Sequence, residues 1–208
     1  MGGLGVGGPD VDSPLVFNAR GFLPPGDHPM TLAGLRRSIL VVGPPGRESW
    51  NRNWREWLID RFGRLVVQLR GVGVHEIYVG GSFASDKDHP GDLDGYFACD
   101  RASYKTRALH KELNILGPFR DWTWRDEDRR PARDGRWKLP LWHHCRVELF
   151  PHHGQTQTGF FDDRGNDVDL PTMFRMVRGT PEPRGVVRIA AGPPDPRPSP
   201  LAAIGEAV

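Results

Sequence analysis

A chain of 208 residues with 38% hydrophobic and 26% charged side chains suits one soluble domain with a buried core, or such a domain with tails. Its 28 basic and 26 acidic residues leave a formal net charge of +2, which excludes an overall electrostatic footprint for nucleic acid and leaves room only for a local basic patch. Two cysteines, Cys99 and Cys145, exclude a disulfide scaffold, and with no signal-peptide pattern and no run of ~18 apolar residues the expectation is a cytoplasmic protein that does not enter a membrane.

Residues 1–14 are Gly-rich and read as a disordered tail, 191–208 are Pro-rich and read the same way, and 15–190 form the body. Pro24-Pro25-Gly26 forces a turn, and Thr31 caps a short helix through Leu40. The clearest helix runs from Ser49, its N-cap, to Arg70. Trp50, Trp54, Trp57, Leu58, Leu65, Val66 and Leu69 share one side at three-to-four spacing, with Arg52, Arg55, Glu56 and Arg64 mostly elsewhere. The tryptophans read as core. Strands follow over residues 74–79 and 93–98, then a helix over 103–116 stopped by Gly117-Pro118. The charged, Trp-bearing segment 120–138 has no periodicity and reads as a long loop or insertion. A strand over 141–150, with Val147 and Leu149 on one face, a short helix over 170–177 and a last strand over 185–190 complete the body.

Between the strands at 74–79 and 93–98 stand Gly80-Gly81-Ser82 and Asp92-Leu93-Asp94. In a strand, side chains at i and i+2 share a face, so Asp92 and Asp94 sit side by side. Adjacent carboxylates repel and raise each other's pKa, which is costly unless a cation neutralises them. Mg²⁺, a hard ion bound by a few carboxylates plus substrate phosphates, is the natural candidate. The glycines permit close approach to a ligand, and a helix starting after Ser82 would aim free N–H groups at a phosphate. Glu148, between Val147 and Leu149, faces away from both and joins the pair if its strand lies beside theirs. A third carboxylate is what a two-metal site wants, with ions ~3.5–4 Å apart.

A strand, Gly-Ser, a spacer, Asp-x-Asp on the next strand and a later acid together resemble the nucleotidyltransferase superfamily of polymerase-β type. "FNARGFLPPGDH" near the start and "PRGVVRI" near the end resemble the marks of a group of small bacterial nucleotidyltransferase-like proteins, so the likeness spans about 17–190. Arg184 stands where that group commonly has Lys, and Glu148 where Asp is more usual. The resemblance implies an α/β (α+β) fold, a small mixed β-sheet flanked by helices. It implies transfer of a nucleoside monophosphate from an NTP, ATP among them, to an acceptor hydroxyl, with release of pyrophosphate and with Mg²⁺ or Mn²⁺ as cofactor. Asp92 and Asp94 would hold both metals, and Glu148 the one that activates the acceptor oxygen. Gly81 and Ser82 would hold the triphosphate. Lys87, Arg146, Arg178, Arg184 and Arg188 are candidates to neutralise phosphate charge, Arg184 and Arg188 first.

His143, His144, Cys145, His152 and His153 match no closed zinc pattern. His144 and Arg146 share the parity of Glu148 and are placed to line the same pocket. The acceptor stays open among tRNA, protein and a small molecule, and so does an antitoxin partner. A tRNA end would need only a local rim, from Arg120, Arg125, Arg129, Arg130, Arg133 and Arg136 interleaved with Trp122, Trp124 and Trp137. Two readings of other classes stand beside the transferase: a non-catalytic nucleotide-binding or interaction protein, and a metal-dependent phosphohydrolase.

Overall fold

The computed structural model describes residues 10–117, 119–156, 158–162 and 164–192; most of both expected tails lies outside the described residues. Five strands form one mixed sheet: β1 (Gly26–Met30), β2 (Ile77–Gly80), β3 (Leu93–Ala98), β6 (Val147–His152) and β7 (Gly185–Ile189), in the order β1-β7-β2-β3-β6. The outer pairs β1–β7 and β3–β6 are parallel, and the two inner pairings are antiparallel. A separate ribbon joins β4 (Arg130–Pro131) and β5 (Trp137–Lys138). The fold is therefore α+β, a small mixed sheet with helices packed on it.

One sheet face carries the core. Met30, Ile77, Val79, Leu93, Phe97, Val147, Leu149, Val187 and Ile189 alternate into it and pack with Leu58, Ile59, Phe62, Leu65, Val66 and Leu69 of α3 (Arg52–Gly71). The other face is only partly covered. There α7 (Leu170–Phe174) lays Leu170 and Phe174 on Tyr96 and Val186. Arg175, just beyond it, donates to Asp27 Oδ1 at 2.6 and 3.0 Å and to the Tyr96 hydroxyl at 2.5 Å, tying α7 across the sheet.

Several local expectations change. The long helix starts at Arg52, capped by Asn51, whose side chain accepts from the Trp54 N–H at 3.0 Å; Ser49 lies in the preceding turn. The helix expected through Leu40 is two pieces, α1 (Leu32–Arg37), capped by Thr31, and α2 (Ile39–Val42), because Ser38 is extended and caps the second. The helix expected over 103–116 is also two, α4 (Arg101–Lys105) and α5 (Ala108–Leu116), parted by Arg107 in the left-handed region at φ 61°. β1 is not among the strands expected from the sequence; Pro29 within it is tolerated because β1 lies at the sheet edge. Residues 140–145 form helix α6 (Pro140–Cys145), with Pro140 in its first turn, and the strand begins only at Val147. Arg146 turns the chain between them at φ 53°.

The largest departure concerns Arg55. The spacing sets it off the apolar side of α3, yet it is fully buried. Its guanidinium donates to the carbonyls of Leu40 (2.6 Å), Phe83 (2.8 Å), Ser85 (3.2 Å) and Lys87 (2.5 Å) and stacks 3.9 Å from the Trp50 ring centroid. Burial pulls it down to about 9, with Asp88 and Asp86 pulling back, so it stays charged at neutral pH. One cation thus satisfies four backbone acceptors, three of them in the loop between Gly80 and Asp92. Trp54 adds its indole N–H to the Pro90 carbonyl at 2.7 Å, and Arg47 pairs with Asp88 at 2.6 Å. The first half of α3 is the clamp that shapes this loop.

Arg55→Met removes the donor and leaves those carbonyls without a partner, at ~1–3 kcal/mol for each buried acceptor left unmade. The expected loss is about 3 kcal/mol or more in urea unfolding. A loss below ~0.5 kcal/mol, the scale of an ordinary surface change, would show that the clamp is dispensable.

Candidate functional site

Register decides the site. Gly80 pairs with Asp94 across β2–β3, and Asp94 pairs with Glu148 across β3–β6. The three positions form one row on the open face, and Asp92, two residues before Asp94, lies beside them. Ligand oxygens of Asp92, Asp94 and Glu148 all lie within 4.8 Å of one another. The expected alternation therefore holds, and Glu148 does lie beside the Asp-Leu-Asp strand. Asp92 and Glu148 are buried and Asp94 is half-buried. Among the described residues this is the one group of three or more potential ligands.

A fourth side chain stands in the cluster. Lys138, at the end of β5, donates from Nζ to Asp92 Oδ2 at 3.0 Å and to Glu148 Oε2. The Trp142 indole N–H also donates to Asp92 Oδ2, at 2.8 Å. Burial works to lower the Lys138 pKa, but Glu148 and Asp92 outweigh it and hold the ammonium above its usual value. The formal balance is still three negative charges against one positive. Burial, then Asp92, pushes the Asp94 carboxyl up to about 7, with Lys138 opposing and Glu148 adding. Glu148 Oε1 is buried and has no hydrogen-bond partner; the Arg129 guanidinium stands 3.9 Å from it. An unpartnered buried oxygen in a cluster of uncompensated hard oxygen donors fits a divalent cation.

The Gly-Ser turn abuts the acids. Gly81 has φ +64°, and a Cβ there would lie 2.8 Å from Asp94 Oδ2, so only glycine allows this approach. No helix follows Ser82; residues 81–84 are a turn, closed by the Ser85 hydroxyl donating to the Ser82 carbonyl at 2.8 Å. The reason is Arg55, which pulls the Phe83 and Ser85 carbonyls inward. Arg184 reaches the same corner, donating to the Phe174 carbonyl at 3.1 Å and more weakly to the Gly81 carbonyl at 3.5 Å. Burial pulls its guanidinium down, with the Asp94 charge pulling back.

The other phosphate candidates are not gathered so closely. Lys87 is exposed, and its backbone carbonyl is what Arg55 uses. Arg188 is exposed and pairs in register with Tyr78, two positions along β2 from Gly80. Arg178 is exposed on the segment after α7. Arg146 stacks 3.8 Å over the ring of Trp142 and so borders Asp92 indirectly. His144 does not share the face of Glu148: it lies on α6, stacked on Phe119 at 4.8 Å and 3.3 Å from Asp121. His153 stacks on Tyr104 and His152 packs edge-on to Tyr96, so the histidines are dispersed.

Segment 120–138 is more than a loop. Trp122 is buried, its N–H on Gln68 Oε1 at 2.6 Å, and Trp124 donates to the Leu149 carbonyl at 2.6 Å. Neither is a free stacking platform; Trp137 alone of the three is exposed. The ribbon delivers Lys138, which pattern reasoning passed over. A signal existed: Trp137-Lys138-Leu139-Pro140-Leu141-Trp142 holds one cation in an otherwise apolar run. A cavity of about 520 Å³ is lined by Arg107, Arg120, Arg125, Arg129 and Arg130 together with Asp121, Glu127 and Asp128, and by none of the three acids. Arg129 connects it to Glu148. Among the described residues no helix is long and apolar enough to cross a membrane.

The chain belongs to a family of unknown function (DUF6932), whose model matches residues 15–190. No curated protein and no solved structure matches it.

The raised Asp94 carboxyl keeps its proton in the folded chain between its ordinary value and about 7, where the unfolded chain has released it. The folded state then binds more protons, so stability falls as pH rises through that window. Asp94→Asn cannot ionise. Relative to the wild type, this variant should therefore gain stability from pH 5 to pH 8 when no metal is added, as urea midpoints at both pH values would show. Comparing the two proteins cancels His110 and His153, whose burial-lowered values act in the opposite sense. Parallel pH profiles would refute the assignment of this strain to Asp94.

Proposed function

We propose that the chain is a metal-dependent nucleotidyltransferase that moves a nucleoside monophosphate from an NTP to an acceptor hydroxyl. The observation that carries this reading is the convergence of Asp92, Asp94 and Glu148, one of whose oxygens is buried and unpartnered, against a left-handed Gly81 and the half-buried Arg184. Carboxylates alone would suit many metal centres. A backbone turn that only glycine can bring against them, with an arginine at its back, suits a polyphosphate.

In this reaction the acceptor oxygen forms a bond to the α-phosphorus, and the bond from that phosphorus to the bridging oxygen of pyrophosphate breaks. A divalent cation, Mg²⁺ or Mn²⁺, held by Asp92, Asp94 and Glu148 would supply neutralisation of the phosphate charge and polarisation of the α-phosphate. The Gly81-Ser82 turn and Arg184 would bind the triphosphate and hold its charge. Glu148 would engage the cation through Oε1, the oxygen that Lys138 leaves free, and the acceptor proton would pass to solvent water. The acceptor would enter through the arginine-lined cavity, which meets the acids at Arg129. The non-catalytic reading draws on one observation: Lys138 already neutralises part of the cluster without a metal. At least one negative charge still remains there even with Asp94 protonated, and this favours the metal-dependent reading.

Incubation with labelled NTPs, Mg²⁺ or Mn²⁺ and pools of RNA, protein and small molecules should transfer label to one of the three. Asp92→Ala and Asp94→Ala should reduce transfer by at least ~10²-fold, the scale on which single groups of a catalytic centre act. Unchanged transfer in both would remove the mechanism. Arg184→Ala should raise the KM for NTP more than it lowers kcat. Added NTP and Mg²⁺ should raise the melting midpoint of the wild type; binding without transfer would favour the non-catalytic class, and release of nucleotide or phosphate without a second substrate a hydrolase.

A further inference from the structure

An oxygen-by-oxygen account of the acidic cluster limits how many cations it can take. Asp92 Oδ2 already accepts from Lys138 Nζ and from the Trp142 indole, and Glu148 Oε2 accepts from Lys138 Nζ. What is left to ligate is Asp92 Oδ1, Glu148 Oε1 and the Asp94 carboxylate. That set suits one octahedral ion that completes its shell with water or phosphate oxygens. A second ion bridging Asp92 and Glu148 would need the space and the oxygens that Lys138 holds. Lys138 is itself more than nine-tenths buried, fixed at the end of β5, with its ammonium 5.3 Å from the Trp142 ring centroid. It is not a surface lysine that swings aside.

We propose that Lys138 fills the place of a second metal ion, so that the centre is built for one divalent cation and the ammonium supplies the fixed positive charge between Asp92 and Glu148. This rests on the metal-dependent reading of the same residues and departs from the pair of ions that the superfamily resemblance implies. Lys138 acts as a positioning residue. It holds Asp92 and Glu148 at the separation one ion needs, and it arrives on a ribbon whose other strand lines the arginine-rich cavity through Arg130.

Mn²⁺ binding to the intact chain, counted by equilibrium dialysis and by the signal of free Mn²⁺, tests this without any turnover. The wild type should hold one ion. Lys138→Met should hold two, or gain a second site at least tenfold tighter than any second binding in the wild type, while Lys138→Arg should stay at one. Should Lys138→Met fail to fold, Lys138→Gln, which keeps a donor but no charge, gives the same readout. Two ions in the wild type, or one in the folded charge-removing variant, would overturn the proposal and leave the transferase reading standing. No bound ion in the wild type would overturn both.

Discussion

Three carboxylates with ligand oxygens within 4.8 Å of one another, two of them buried, repel strongly enough to shape everything around them. Such an arrangement lowers the stability of a free protein, and chains keep it where a cation is to be bound. The molecule meets the repulsion in two ways. Lys138 and the Trp142 indole bind oxygens of Asp92 and Glu148 on one side. On the other, Asp94 has its pKa raised, so that part of the charge is removed by a proton. The remainder is the deficit that a divalent ion and a positively lined surround would fill.

The scaffold needed to hold that arrangement is unusually polar. Arg55 is buried in the first turn of α3, with no carboxylate ion pair among the described residues, and makes its bonds to backbone carbonyls. A buried cation of this kind costs desolvation, and four acceptors offset it. What it secures is the course of residues 83–87, hence the turn at Gly81 and the approach to Asp92. The two sides of the sheet are coupled in this way. Helix α3 shapes, from the core side, a loop whose two ends both belong to the site on the open side.

The open face has a division of its own. Gly81, Asp94 and Arg184 gather at one corner, where a polyphosphate would lie, and Arg129 marks the start of the arginine-lined cavity at Glu148. Arginines in that cavity are partly paired internally, Arg125 with Glu127 and Arg129 with Asp126, so its character is mixed rather than uniformly basic. α7 covers only the middle of this face, held by Arg175 to Asp27 and Tyr96.

Alternation along single strands was legible in the sequence: Leu93 inward with Asp92 and Asp94 outward, Val147 and Leu149 inward with Glu148 outward. The period of two acts within a few residues and needs no partner to be read. Gly-Gly-Ser before the acids was legible for the same local reason, and so was the mixture of helices and strands, while the small mixed sheet was what the family resemblance implied. Beyond one element the pattern is silent. The apolar residues around His143 and His144 hide a helix, because Pro140 in a first turn favours one and a short apolar run does not distinguish strand from helix. Arg55 falls off the apolar stripe of its helix, where a charge usually meets solvent. Its four acceptors come from Leu40 and from a loop about thirty residues downstream, which meet it only in the folded chain. Lys138 is the same case: its partners lie 46 and 10 residues away, and the pairing exists because β3 and β6 run in parallel and the ribbon folds over their ends. Residue types and local periodicity thus determined which acids the chain offers. Tertiary structure decided which cations meet them, since electrostatic partners are chosen by distance in space and not along the chain.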